Sequence, residues 1–337
     1  MGIQLELLSP VFTGTLDGMS ALSTLELCAG GGGQALGYEQ AGFAHAGLVE
    51  IDKHCCATLR LNRPEWNVLQ RDLMEFDGSG FKGIDLITGG LPCPPFSVAG
   101  KQLGKNDERN LFPSAIRLVD EIRPRAVMIE NVRGILDAVF EDYRNYVGKE
   151  LSKLGYEPGW KLMNASDFGV PQLRPRVVFV AVRKDLTEHF SWPQPSDIPP
   201  RTVGETLYDL IASNGWIGAK AWAVHADEIA PTVVGGSHKH GGPDLGPTRA
   251  RRAWATLGVD GLGLANGAPE REFVGMPRLT VRMVARIQGF PDDWQFAGGK
   301  TQSYRQVGNA FPPPFARAVA QRIKACLTAS RSLRVAV

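Results

Sequence analysis

Apolar residues first gather at residues 22–27, "LSTLEL", a short run that reads as a strand and passes directly into "CAGGGG". The next stretch, "QALGYEQAGF", has helical character, and "HAGLVEID" reads as a second strand ending in acidic residues. Strand, glycine turn, helix and strand in that order open a largely parallel α/β sheet. The pattern predicts further strands at Ile84–Thr88, Ala126–Glu130 and Val177–Val182, with helices over Leu111–Ile122 and Tyr143–Leu154, the second stopped by Gly155. This alternation through residue 183 implies an α/β fold: a doubly wound, mostly parallel sheet that places ligands at the carboxyl ends of its strands.

The periodicity then breaks. The proline-rich "SWPQPSDIPPRT" (191–202) reads as a connector, and glycines are frequent from there to residue 275, so a second, smaller, loop-rich domain is expected. "LTVRMVARIQGF" (279–290) looks helical again with Thr280 as its cap, and a last helix over Phe315–Leu327 is expected to return to the first sheet. The resulting division is a leader at 1–20, a sheet domain at 21–183, a small domain at 184–275, a connecting segment at 276–305 and a C-terminal helix at 306–330 that returns to the sheet domain.

Composition narrows this picture in three ways. No run reaches the roughly 18 to 20 apolar residues that cross a bilayer, and "MGIQLELLSP" lacks a basic flank, so a cytoplasmic protein without a membrane partner is expected. The five cysteines are odd in number and lack zinc or disulfide spacing, which points to a reducing compartment and no metal. A net charge of +2 in 337 residues does not by itself call for nucleic acid, so any charged groove must come from local clustering.

Candidate chemistry sits at the predicted strand ends. Gly30 to Gly33 remove side chains where a ligand approaches backbone N–H groups, and Glu50 can accept both hydroxyls of a ribose. The cluster "GGGGQALG" lacks the strict dinucleotide pattern, and at this point leaves a nicotinamide dinucleotide and S-adenosylmethionine both open. Cys93, set between prolines in "GGLPCPPFS", follows one strand; Glu130 and Asn131 end another; Gln172, Arg174 and Arg176 precede a third. In a parallel sheet such ends converge on one crevice. A thiol, a proton carrier and fixed guanidinium groups suit attack on C6 of cytosine, with the glutamate at N3 and the exocyclic amine and an arginine at O2.

On these residues the chain resembles the DNA (cytosine-5)-methyltransferase family. "LELCAGGGG" is similar to its first cofactor motif, "GGLPCPPFS" to its nucleophile motif, "IENV" to its glutamate motif and "QLRPRVVFV" to its Q-x-R-x-R motif. "RLTVRMVARIQGFPDDW" and "YRQVGNAFPPPFARAVA" resemble its last two, in the family's order, over residues 22–325. The resemblance implies transfer of a methyl group from S-adenosyl-L-methionine, leaving S-adenosyl-L-homocysteine, to C5 of a flipped-out cytosine through a covalent bond between Cys93 and C6. Glu130 would serve N3, Arg176 O2, and Arg174 the phosphate or the pocket. On the cofactor side it implies Gly30 and Gly32 in the turn, Glu50 at the ribose, Ile51 against the adenine, Asp72 near its amine, and Pro92, Leu111 and Asn309 around the cavity. Two departures stand out: Pro94 replaces the family's usual glutamine, and Cys28 a phenylalanine that commonly touches adenine.

For DNA contact, "SVAGKQLGKNDERNLF" (97–112) supplies Lys101, Lys105 and Arg109 on an expected closing loop. "GGSHKHGGPDLGPTRARRAW" (235–254) supplies Lys239, Arg249, Arg251 and Arg252 for phosphates or guanine edges. His238 and His240 find no further ligand at metal spacing. The implied partner is double-stranded DNA, with a cognate restriction endonuclease as a functional partner, and a monomer is expected. Two competing readings share these motifs: a tRNA cytosine-5 methyltransferase, and a non-catalytic DNA-binding protein of the same fold.

Overall fold

The computed structural model describes residues 15–16, 19–92, 110–235 and 243–335. Thr15–Leu16 and Met19–Ser20 form a small antiparallel pair ahead of the main sheet. That sheet has seven strands: β1 (Leu22–Leu27), β2 (Phe43–Glu50), β3 (Val68–Gln70), β4 (Leu86–Gly90), β5 (Ala126–Val132), β6 (Tyr156–Asn164) and β7 (Pro175–Arg183). Their spatial order is β3-β2-β1-β4-β5-β7-β6, with β1 to β5 parallel and β7 antiparallel to both its neighbours.

Both faces of the sheet are covered, and side-chain alternation shows why. In β7, Val177, Phe179 and Ala181 enter one core, while Val178, Val180 and Val182 enter the other. The first core is closed by α3 (Phe112–Ile122) and α4 (Glu141–Lys153). The second is closed by α1 (Gly33–Gln40) and α10 (Pro313–Val335), the latter through Phe315, Val319 and Ile323. The C-terminal helix thus does return to the sheet.

α2 (Lys53–Asn62) and the strands β3 and β6 have no counterpart among the expected elements. β3 is only three residues long, and β6 carries Pro158 and Gly159, which obscure a strand signature. Among its described residues, the region expected to be loop-rich carries three α-helices, α5 (Val203–Ile211), α6 (Ala219–His225) and α7 (Thr248–Thr256). Each has nine residues or fewer, too short for helical periodicity to stand out. The strongest local signal was a cap: the Thr202 hydroxyl accepts from Glu205 N, and the Glu205 carboxylate accepts from Thr202 N. α8 (Val281–Ile287) starts as expected, Thr280 Oγ1 accepting from Met283 N. α9 (Lys300–Asn309) follows. α5 to α9 pack with Ala35, Leu36, Leu59 and Trp66 in one core, so the residues expected as a connector are part of a packed body that leans on α1 and α2.

Candidate active site

The parallel strands bring Cys28, Glu50, Gly90 and Glu130 to one end of the sheet. Arg176 reaches the same end for a different reason: β7 runs backwards, so its start pairs with the end of β5, Val132 opposite Arg176. The convergence attributed to parallel strands therefore needs one reversal.

Two cavities open along this edge. The first, about 410 Å³, is lined by the glycine turn (Gly30, Gly31, Gly33), Glu26, Cys28, Gln34, Glu50, Asp52, His54 and Cys55, and across from them by Gln302, Arg305, Gln306 and Asn309 of α9. The buried Glu50 carboxylate ties the turn to β2: Oε2 accepts from Gly30 N at 2.7 Å, and Oε1 accepts from Ile51 N at 2.9 Å and Asp52 N at 2.8 Å. Burial raises the Glu50 carboxyl above its ordinary range, against the lowering effect of those three amides. Oε2, with a single donor, keeps lone-pair capacity for a further one.

Gly32 is not in the lining. Its φ of 85° is left-handed, and a Cβ there would meet Leu59 Cδ2 and the Trp294 ring at 2.8 Å, so the turn and its packing both require glycine. Cys28 also has a positive φ, 54°, and burial, reinforced by Glu50 and Asp72, pushes its thiol up. Ile51 is exposed, Asp72 accepts from Met74 N at 2.9 Å, and Leu111 packs against the α3 core; none of the three lines either cavity.

The second cavity, about 820 Å³, shares Gly90, Pro92, Glu130 and Asn309 with the first. Its remaining walls are Leu91, Asn131, Val132 and Arg176 from the sheet side, and Val233 to Gly235, Asp244, Gly246, Pro247, Arg251 and Gly308 from the second body. At its base Arg176 Nε donates to Glu130 Oε1 at 2.7 Å, and the two side chains are 12% and 11% exposed. A carboxylate held by one guanidinium and open on its other side can serve a ring nitrogen and an amine together.

Arg174, expected at the phosphate or the pocket, is fully buried and reaches neither. Its Nη1 donates to Val233 O at 2.6 Å, and its Nη2 to Gly308 O at 2.7 Å and Ala310 O at 3.1 Å. Burial first, and then the neighbouring Arg176, hold its guanidinium well below the usual arginine range. Gln172 completes the lock: its Oε1 accepts from Val233 N at 2.8 Å, while its Nε2 donates to Gln288 Oε1 at 2.5 Å. The Q-x-R-x-R motif is therefore divided, Gln172 and Arg174 joining the two bodies and Arg176 facing the cavity. Within that joint Gly308 and Gly235 meet backbone to backbone; a Cβ on Gly308 would lie 2.3 Å from Gly235 Cα.

A profile of the family described as "C-5 cytosine-specific DNA methylase" matches residues 22–325. The Type II methyltransferase M.NgoMIV of Neisseria gonorrhoeae is 56% identical over 304 residues, covering 89% of this chain and 96% of its own. M.NaeI of Lentzea aerocolonigenes is 53% identical over 315 residues, covering 92% of this chain and 76% of its own.

The chain belongs to the C-5 cytosine-specific DNA methylase family.

It is accordingly a DNA cytosine-5-methyltransferase. Among solved structures, an Escherichia coli prophage-encoded putative DNA modification methyltransferase matches the methylase with a TM-score of 0.66 and 26% identity, over 91% of this chain and all of that one. The Spodoptera frugiperda DNMT2 mutant shares the fold, with a TM-score of 0.62 at 20% identity over 90% of this chain and all of that one.

Several expected residues lie outside the described residues: Cys93, Lys101, Lys105, Arg109, His238, Lys239 and His240. Pro92, which immediately precedes Cys93, lines both cavities. Arg249 and Arg252 are exposed on α7. Sequence reasoning missed Glu26 and Gln34, both buried in the first cavity, although a glutamate inside "LSTLEL" was a visible signal. Burial raises the Glu26 carboxyl well above its ordinary range. Asn309 lines the first cavity as expected, whereas its α9 neighbours Gln302, Arg305 and Gln306, and Asp244 in the second cavity, were not singled out. No helix among the described residues is long and apolar enough to cross a membrane.

Proposed function

We propose that this methylase transfers a methyl group from S-adenosylmethionine to C5 of a cytosine flipped out of a specific duplex DNA sequence, through a bond between Cys93 and C6. The observation that carries the reading is the Glu130–Arg176 pair at the base of a cavity that shares a wall with the glycine-turn cavity.

The residues of the first cavity suit S-adenosylmethionine. Glu26 Oε2 and Gln34 Oε1 are buried there without hydrogen-bond partners, which calls for a polar ligand, and Glu50 retains acceptor capacity for a ribose. In this reading Glu50 and the turn hold the nucleoside, Asn309 closes the cavity, and Cys28 takes a place beside the base. When bound, the cofactor supplies an electrophilic methyl group on a sulfonium.

Flipping is required because C5 and C6 cannot be reached in a stacked pair. The Cys93 thiolate adds to C6, forming a sulfur–carbon bond, while Glu130 supports protonation at N3 so that charge does not build up in the ring. Arg176 fixes Glu130 and donates to O2. C5, made electron-rich, takes the methyl group, leaving S-adenosylhomocysteine; loss of the C5 proton then returns the electron pair that expels the Cys93 thiolate, and N3 gives up its proton as the ring is restored. Arg174 is a positioning residue. The basic side chains Lys101, Arg109, Lys239, Arg249 and Arg252 serve DNA contact, residues 184–275 read the target, and the setting is a restriction-modification system acting on cytoplasmic DNA.

Mapping 5-methylcytosine in DNA from cells producing the wild-type chain or Cys93→Ala tests the reading. Expected is modification at one position of a fixed sequence by the wild type, and none by the variant. Modification by the variant, or methyl transfer to tRNA with none to duplex DNA, would reject it.

A further inference from the structure

The run "TRARRAW" can be resolved into two functions. α7 turns about 100° per residue, so Arg249 and Arg252 share a face three residues apart, while Arg251 lies on the side of Trp254. The first two are exposed; Arg251 is half-buried, lies over Gly261, where an added Cβ would meet its Cγ at 3.1 Å, and lines the cavity that holds Glu130 and Arg176. Its guanidinium makes one long bond, Nη2 to Thr248 Oγ1 at 3.4 Å, and so keeps most of its donors available. Asp244, the acidic group on the same wall, is held to its own loop by Gly246 N at 3.0 Å.

We propose that Arg251 binds a backbone phosphate adjoining the flipped cytosine, making it a positioning residue for the extruded nucleotide rather than a reader of the surrounding duplex. This rests on the proposed function. A cavity of about 820 Å³ has room for a nucleotide with its phosphates, beyond a base alone. With Glu130 and Arg176 occupying the sheet side, the second body's guanidinium faces the path by which the sugar–phosphate must leave. An arginine fork suits a phosphate.

The test uses the full chain and a duplex carrying the mapped site, with a neutral methylphosphonate replacing the phosphate on the 5′ or the 3′ side of the target cytosine. Single-turnover methylation by the wild type should fall by roughly 10- to 100-fold at one of the two positions. Arg251→Gln should fall by a similar factor on the natural duplex, and the two changes together should cost little more than either alone. Arg249→Gln with Arg252→Gln should instead lower the salt dependence of binding and multiply independently with the methylphosphonate. Wild-type tolerance of both methylphosphonates overturns the proposal, whether or not Arg251→Gln folds. So do full independence of the two changes, and an Arg251→Gln enzyme that methylates altered sequences while keeping its rate. Wild-type methylation of the natural duplex shows separately that the underlying function holds.

Discussion

The two cavities meet at Gly90, Pro92, Glu130 and Asn309, yet they are built on different principles. One whole wall of the first comes from a short stretch of chain: Glu26 to Gln34, with Glu50 returning only 20 residues later to accept from Gly30 N. The second is enclosed only when Val233 to Gly235 and Gly246 to Arg251 arrive from a separate packed body. Local chain geometry produces the glycine-turn wall of the first, which α9 then faces, whereas the side holding the Glu130–Arg176 pair depends on a joint between two bodies. The joint is Gln172, Arg174 and Gln288, buried polar side chains locked onto backbone carbonyls and each other.

The sharpest way to break this contrast is Arg176→Met. Arg176 lines only the second cavity, so turnover on DNA should fall by roughly 10²-fold or more while S-adenosylmethionine affinity changes little. Equal loss of cofactor affinity, read by calorimetric titration, would mean that the cavities do not act separately.

Arg174→Met probes the joint. Removing the guanidinium leaves Val233, Gly308 and Ala310 carbonyls without their donor, an effect only partly offset by relief of a buried charge. A loss of about 3–5 kcal/mol in urea unfolding is expected. Unchanged stability would show that the two bodies are held by the apolar core alone.

The smallest effect concerns His45, under the glycine-turn helix, where its Nε2 faces Ala35 O at 3.0 Å and its ring meets Trp66 edge-on. Burial lowers its pKa to about 4 from the ordinary 6.5, so below pH 6.5 the unfolded chain takes up a proton that the folded one refuses. Stability from this group is complete above pH 6.5 and is lost as pH falls towards 4, by up to about 3 kcal/mol. His45→Gln should flatten that slope in urea titrations across the same range. A slope identical to wild type would assign it to other groups. Glu26 acts in the opposite sense: its raised carboxyl withdraws stability as pH rises above the usual carboxyl range.

Much of the catalytic sheet was legible because strands covered on both faces are continuous apolar runs, and because glycine, proline and charge at their ends mark where the runs stop. β1, β2, β4, β5 and β7 were found this way; β3 and β6 escaped for want of length or through Pro158 and Gly159. In the second body, α5 to α7 were hidden by their shortness, though the Thr202–Glu205 capping box marked one start. Residue types in the site were equally legible: Glu50 and Glu130 stand out as acids closing apolar strands. Which residues they pair with was not legible, since a side chain's contact across 46 residues, as from Glu130 to Arg176, leaves no local trace.

By itself the chain determined an α/β sheet with a glycine turn and acids at its strand ends, since side-chain alternation and backbone sterics act over a few residues. Only the tertiary structure decided that Arg176 faces Glu130 while Arg174, two residues away, closes the joint between the bodies. That choice depends on which carbonyls and which carboxylate lie within hydrogen-bond reach, and those are set by the reversal of β7 and the packing of residues 203–310.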